Sequence, residues 1–209
     1  MEAGDLQQGD ARTMAEVCAF LAGVLSAPPT EESAGAVARM ASALGIACPG
    51  DVATATLERD YADLFVVPNP RYVAPYESVY RDRWEVPGAF RSADGGAEGS
   101  ATGKGLLMGE STLRVRRLQL EAGLQPQRDL PDHVANEMWL LAHLWKKEAE
   151  ATPADRPEWA RRRVQFSNEH LQQWLGDLAA KVRQNQRVGI YGATLEIAQA
   201  VIGVDDEAG

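Results

Sequence analysis

The sequence feature that most constrains the fold is a helical repeat of apolar residues between positions 130 and 147. Four side chains recur at the spacing of one helix face: Val134, Met138, Leu141 and Trp145. Pro131 stands in the predicted first turn, where its missing N–H costs nothing, and Asp129 is placed to act as the N-cap. Because such a face must be buried, we expect this helix to pack into the interior.

The entrance to the same helix is polar, with Asp132 next to His133. An acid in the first turn is favoured by the helix dipole, and an imidazole forms hydrogen bonds in either protonation state. The pair therefore predicts either recognition of a polar partner or a structural role. In the structural alternative, His133 only holds the segment at 66–87 against its helix.

Helical spacing recurs along most of the chain, and no useful length of sequence alternates apolar and polar residues as a half-buried strand would. We therefore predict an all-α fold with one helical domain at 13–203. A disordered polar lead at 1–12 precedes the domain, and an acidic tail at 204–209 follows it. The other helices are predicted at 13–26, 30–45, 52–65, 106–121, 158–184 and 190–202.

Residues 66–105 break this pattern. Four prolines between 66 and 87 rule out one long helix, although four aromatic residues are spaced four apart there: Tyr72, Tyr76, Tyr80 and Trp84. We predict an irregular, packed segment with a helical turn around 77–83. Residues 88–105 are rich in Gly, Ala and Ser and lack an apolar period, so they are predicted to form a mobile loop.

Composition narrows the class of protein. The 209 residues carry a net charge of -9 and are 45% apolar, which is usual for a soluble globular domain. The negative charge argues against nucleic-acid binding, since phosphate contacts need clustered Lys and Arg. No stretch reaches the roughly 18 apolar residues of a membrane span, and the N-terminus lacks a secretory pattern. We therefore expect a cytoplasmic protein without stable membrane insertion.

Motifs for catalysis are weak throughout. Residues 99–105 have the wrong glycine spacing for a phosphate-binding loop, and Ser78 lacks the Gly-flanked elbow of a nucleophile. His133 and Glu137 lie one helical turn apart, but the sequence marks no third ligand beside them. A metal-dependent helical hydrolase that also uses His170 is therefore a remote alternative. We predict no enzymatic activity, no metal site and no cofactor.

Three blocks of sequence together resemble the TorD/DmsD/NarJ family of cytoplasmic redox enzyme maturation chaperones. The first block joins Tyr-Ala-Asp-Leu-Phe at 61–65 to Pro-Tyr-Glu-Ser-Val-Tyr at 75–80. The second is Pro-Asp-His at 131–133 with Glu137, and the third comprises Phe166, His170, Leu171 and Trp174. In order and spacing these blocks resemble the family over residues 14–202. Leu130 departs from the pattern, because many members have Glu before the Pro-Asp-His triplet.

The resemblance implies a TorD/DmsD-like bundle of about eight or more helices that acts as a chaperone. Its partner would be the catalytic subunit of a molybdenum-cofactor oxidoreductase, bound through a twin-arginine signal peptide or another N-terminal segment. The chaperone would hold this client until the cofactor is inserted and export is permitted. A client without an exported signal, as in nitrate-reductase assembly, is the alternative within the family, and a plain helical adaptor is a third. The protein could be a monomer or a domain-swapped homodimer.

The resemblance also implies a peptide-binding site in the first two blocks. Its expected members are Tyr76, Glu77, Ser78, Tyr80, Trp84, Asp132, His133 and Glu137. Asp132 and Glu77 would pair with guanidinium groups, whose fork suits a carboxylate. The aromatic side chains would contact the apolar part of the peptide, and His133 would bond to the peptide backbone or pin the 66–87 segment.

Overall fold

The computed structural model describes residues 3–90, 99–125 and 130–203. This part of the chain folds as an all-α bundle with one β-hairpin. The α-helices are α1 (Ala3–Ser26), α2 (Glu31–Ala43), α3 (Thr54–Tyr61), α4 (Glu77–Arg81), α5 (Glu110–Glu121), α6 (Val134–Glu150), α7 (Arg156–Glu169), α8 (Leu175–Asn185) and α9 (Ile190–Gly203). The remaining elements are a π-helical turn (Ala62–Val66), a 3-10 turn (Leu171–Gln173) and strands β1 (Arg83–Phe90) and β2 (Gly99–Lys104). No described helix is long and apolar enough to cross a membrane.

Helices α1 and α6 make the most extensive interhelical contact and form the centre of the bundle. The four apolar residues predicted on one face of α6 are all buried: Val134, Met138, Leu141 and Trp145. Helix α9 contacts α1, α2 and α8 and is buried on nearly all sides, as its apolar sequence requires. The prediction that this apolar helix face is buried is confirmed.

The start of α6 differs from the prediction. The helix begins at Val134, and His133 is its N-cap, with the imidazole Nδ1 accepting the Ala135 N–H at 3.1 Å. His133 has an extended backbone because it forms an antiparallel bridge with Tyr76, and bridge pairing competes with helix formation. Asp129, the predicted N-cap, lies outside the described residues.

The predicted helix at 158–184 is divided in the structure. Helix α7 ends at Glu169, and His170 takes a non-helical backbone with φ -119° and ψ -85°. A 3-10 turn follows before α8 begins at Leu175. The break brings the side chains of His170 and Trp174 into the protein interior, where both are buried.

Two other segments also differ from the prediction. Residues 3–12, predicted to belong to a disordered lead, are part of α1, and Ala11 is already in the core. Residues 88–90 and 99–104, predicted to lie in a loop, belong to an antiparallel hairpin in which Arg83 lies opposite Lys104. The Gly, Ala and Ser residues of this segment give no alternating apolar pattern in the sequence. The pairing depends instead on backbone hydrogen bonds, which the sequence does not mark. The rest of the predicted loop at 91–98 and the acidic tail at 204–209 lie outside the described residues.

The buried carboxylate of Asp60 joins α3 to the connection between α8 and α9. It accepts the backbone N–H groups of Arg187 and Val188 at 3.0 and 3.1 Å and pairs with Arg71. Arg71 in turn donates its Nε–H to the Asn185 carbonyl at 2.7 Å. This network fixes the beginning of the irregular segment at 66–76 against the C-terminal helices.

Replacement of Asp60 by Ala should lower the free energy of unfolding by about 3 kcal/mol, because two N–H groups and a guanidinium lose their acceptor. Urea denaturation measures the loss. Asp63→Ala is the matched control, since Asp63 also pairs with Arg71, at 2.8 Å, but is 28% exposed. Its loss should stay below about 1 kcal/mol, and equal losses in the two variants would contradict this account.

Candidate functional site

Asp132 joins the Pro-Asp-His block to the Pro-Tyr-Glu-Ser block. Its carbonyl accepts the Glu77 N–H at 3.0 Å, and its carboxylate Oδ2 accepts the Ser78 N–H at 3.0 Å. The carboxylate therefore caps the short helix α4, whose first N–H groups have no partner within the helix. Val134 completes the junction by donating its N–H to the Pro75 carbonyl at 2.9 Å.

Glu77 joins α4 to the third block. Its carboxylate is buried, lies 2.9 Å from the His170 Nδ1 and forms an ion pair with Arg81. Arg81 also donates to the Glu169 carbonyl at 2.6 Å, so the guanidinium spans α4 and the end of α7. Burial opposes the charged form of Glu77, but the hydrogen bonds and charges of His170 and Arg81 outweigh it and keep the pKa of Glu77 below its ordinary value of 4.5.

Glu137 lies beside Glu77, but its pKa is shifted in the opposite direction. Its side chain is fully buried, and Oε2 accepts the indole N–H of Trp174 at 3.1 Å. Burial, the adjacent charge and hydrogen bond of Glu77 and the charge of Asp132 raise the pKa of Glu137 well above 4.5. The site therefore places side by side two buried glutamates whose pKa values are shifted in opposite directions.

Aromatic side chains surround this polar cluster. The rings of Tyr76 and His133 meet edge to face with centroids 5.2 Å apart, and Tyr76 is half-buried. Tyr80 is buried against Trp174 at 5.3 Å, with the ammonium of Lys181 4.4 Å from the Tyr80 ring centroid. The backbone of Trp84 lies in β1 opposite Gly103, and the placement of its side chain lies outside what the structure describes.

The structure thus brings together most of the residues predicted for the site but buries their charged groups. Within the described residues, the carboxylates of Glu77, Asp132 and Glu137 all have partners inside the protein. His133 caps α6 and contacts Tyr76, so the alternative in which it pins the 66–87 segment agrees with its position. Tyr76 is the predicted site residue that this arrangement leaves most accessible among those whose burial is described.

A groove of about 900 Å³ runs along α1 and α6 and reaches His133. Trp139 lines it and is 47% exposed, although it lies in the middle of a core helix. Trp139 was not among the predicted site residues, because it lies outside the apolar face of the helix. The sequence does mark this residue in one way: a large aromatic side chain stands outside the apolar face, next to the buried Met138.

The remote metal-site alternative has no geometric support in the part of the chain that the structure describes. Among residues 3–90, 99–125 and 130–203, no three His, Cys, Asp or Glu side chains are grouped as a metal ion would need. The proposed ligands instead bind protein groups: His133 an amide, Glu137 an indole and His170 a carboxylate.

Replacement of Glu137 by Gln should remove a pH dependence of stability. Because the pKa of Glu137 is raised in the folded chain, unfolding above about pH 4.5 releases a proton that the folded state retains. The free energy of unfolding of the wild type should therefore fall relative to that of Glu137→Gln as the pH rises from about 5 to 8. Urea denaturation of both proteins across this pH range measures whether the difference in unfolding free energy changes in this direction.

The control for this titration is Glu121→Gln, which alters a side chain that is 61% exposed on α5. Its unfolding free energy should follow the wild-type pH dependence closely. If the Glu137→Gln curve were also parallel to the wild type, the raised pKa of Glu137 would be contradicted.

The sequence model of the family described as nitrate reductase delta subunit matches residues 27–180. A chaperone protein TorD from Escherichia coli is 25% identical over 163 residues, covering 76% of this chain and 66% of that protein. A chaperone protein TorD from Vibrio cholerae is 28% identical over 159 residues, covering 71% of this chain and 60% of that protein. The chain therefore spans less than two thirds of the length of these relatives.

A solved structure has the same fold. It is described as a redox enzyme maturation protein from Archaeoglobus fulgidus and superposes with a TM-score of 0.50. The superposition covers 92% of this chain and 93% of that chain at 17% sequence identity. The solved structure shows the fold alone, and the match of the family model over residues 27–180 shows that the chain belongs to the nitrate reductase delta subunit family, the TorD/DmsD/NarJ group of redox enzyme maturation proteins.

Proposed function

We propose that this protein is a non-enzymatic, cytoplasmic chaperone for the catalytic subunit of a molybdenum-cofactor oxidoreductase. It would bind the twin-arginine signal peptide of that client and hold the subunit until the cofactor has been inserted. Relatives named chaperone protein TorD support the chaperone role. The signal peptide and the timing of cofactor insertion are implied by the family resemblance.

The single observation that carries the proposal is the meeting of all three family-like blocks at one buried cluster. Glu77 from the first block contacts His170 from the third, and Asp132 from the second caps α4 beside them. A cluster of this kind fixes three distant parts of the chain relative to one another and so preorganises the surface around it.

The proposed site residues would have two different roles, one in the interior and one at the surface. Glu77, Ser78, Asp132 and Glu137 would act from the interior by fixing α4 against the start of α6 and the end of α7. Tyr76 and His133 would contact the peptide, because Tyr76 is half-buried and His133 lines the groove. Tyr80 and Trp84 would contribute further aromatic side chains from the same 66–87 segment.

A second candidate is supported by the description of the matching family as a nitrate reductase delta subunit. The client would then be a molybdoenzyme that is assembled without export, and its N-terminal segment would lack the arginine pair. Titration with two peptides separates the candidates, one bearing the arginine pair and one with both arginines replaced by glutamine. Equal binding of the two peptides favours the non-exported client.

The double variant Asp132→Ala with His133→Ala should weaken binding of a labelled client signal peptide by about tenfold or more, since it removes the α4 cap and the groove-lining imidazole. Fluorescence anisotropy gives the Kd, and urea denaturation verifies that the variant is folded. Asp155→Ala, which alters an exposed acid at the N-terminus of α7, is the control and should bind as the wild type does. Unchanged affinity in the folded double variant would refute the assignment of the site.

A further inference from the structure

Five large apolar side chains between residues 106 and 120 are exposed: Leu106, Leu107, Met108, Leu113 and Leu120. The first three lie in the turn that leads into α5, and the other two lie seven residues apart on one face of α5 itself. Single exposed apolar side chains are ordinary, but a cluster of them marks a surface that meets an apolar partner.

The turn at 105–109 is fixed by Asp82, the residue that follows α4. The Asp82 carbonyl accepts the Gly105 N–H at 3.2 Å, and its carboxylate accepts the Ser111 N–H at 2.9 Å and the Ser111 hydroxyl at 2.7 Å. Met108 has a left-handed backbone with φ 63°, which a residue with a Cβ adopts only where its surroundings impose it. The apolar side chains of this turn are therefore presented on a constrained backbone.

The same turn protrudes from the protein surface. Consecutive side chains outside a helix point in different directions, so a turn on which Leu106, Leu107 and Met108 are all exposed must project. None of the three belongs to the groove along α1 and α6. A projecting tip cannot enclose a peptide, whereas it can enter a deformable apolar medium such as the boundary between lipid headgroups and acyl chains.

Arginine side chains accompany the two exposed leucines of α5. Arg114, Arg116 and Arg117 are all exposed, and residues 105–120 contain a single acid, Glu110, against these three cations. Two of the arginines pair with exposed glutamates one helical turn away, and pairs of this kind are weak in water. This surface therefore has a local excess of positive charge, although the whole chain carries a net charge of -9.

The positions of these charges disfavour a second copy of the chain as the partner. If two α5 helices packed antiparallel so that Leu113 of each met Leu120 of the other, Arg116 of each would lie opposite Arg117 of the other. Like charges at the centre of an interface are destabilising. An anionic partner avoids this repulsion, and a bilayer with anionic headgroups offers both negative charge and an apolar layer beneath it.

We propose that residues 106–120 form a docking surface for an anionic lipid bilayer, with the turn at 106–108 entering the headgroup boundary and the arginines of α5 contacting the headgroups. Binding would be peripheral and reversible, since three apolar side chains are far fewer than a membrane span requires. The inference goes beyond the proposed function and does not depend on it, because it concerns a different surface and holds whether or not the chain binds a client peptide.

Cosedimentation of the full chain with two kinds of vesicle tests this docking. Vesicles of phosphatidylglycerol and phosphatidylethanolamine in equal parts should bind the protein, and vesicles of phosphatidylcholine alone should bind it at least about fivefold more weakly. Raising the NaCl concentration from about 0.05 to about 0.5 M should weaken binding to the anionic vesicles by a similar factor, because salt screens the arginines.

Leu107→Ser should lower the partition coefficient for the anionic vesicles by about fivefold or more, because the projecting turn loses an apolar side chain. Leu44→Ser is the matched control and should bind as the wild type does. Leu44 is 52% exposed, close to the 48% of Leu107, and lies at the end of α2.

The charge of α5 is tested separately. Arg116→Gln with Arg117→Gln should lower the partition coefficient for the anionic vesicles by about tenfold or more and should leave little further effect of salt. Arg39→Gln, which alters an exposed arginine on α2, is the control and should keep the affinity and most of the salt dependence of the wild type.

Three results would overturn the inference. The first is a wild type that does not bind the anionic vesicles or binds both kinds equally. The second is unchanged binding by Leu107→Ser, because the membrane contact would then lie elsewhere on the chain. The third is a dimer in sedimentation equilibrium that Leu107→Ser abolishes, because the surface would then hold a second copy. Unchanged urea midpoints verify that these replacements of exposed side chains leave the fold intact.

Discussion

The bond between Glu77 and His170 is the interaction on which the arrangement of the site depends. A carboxylate with no exposed surface is stable only if its charge is compensated, and here His170 and Arg81 provide that compensation. His170 can reach Glu77 because the α7–α8 segment breaks at this residue. The contacts of this one buried charge therefore join α4 to the point where α7 ends.

The two glutamates of the cluster have opposite electrostatic roles. The hydrogen bonds from His170 and Arg81 lower the pKa of Glu77, whereas burial and the neighbouring carboxylates raise the pKa of Glu137. Two adjacent carboxylates can share a dry site only if one of them carries a proton. The acids whose sequence pattern suits guanidinium recognition therefore bind protein groups in the interior, although Asp132 Oδ1 and Glu137 Oε1 have no hydrogen-bond partner among the described residues.

Much of the fold could be predicted from local patterns. The face containing Val134 and Met138 was assigned correctly to the core, because burial of an apolar stripe depends mainly on its period. The hairpin could not be predicted, since its second strand is made of Gly, Ser, Ala, Thr and Lys and has no apolar alternation. The helix break at His170 was also missed, because the contact that His170 makes there is with a carboxylate 93 positions away in the sequence.

The candidate site shows the same division between local and tertiary information. The sequence by itself determined the helical class, the main buried faces and the family, because each depends on residue types at short and regular spacings. Only the tertiary structure decided that Asp132 caps α4, that Glu137 faces Glu77 and that Trp139 lines a groove. Those facts depend on contacts between distant segments, and such contacts determine whether a polar side chain is exposed to a ligand or used to satisfy a group in the interior.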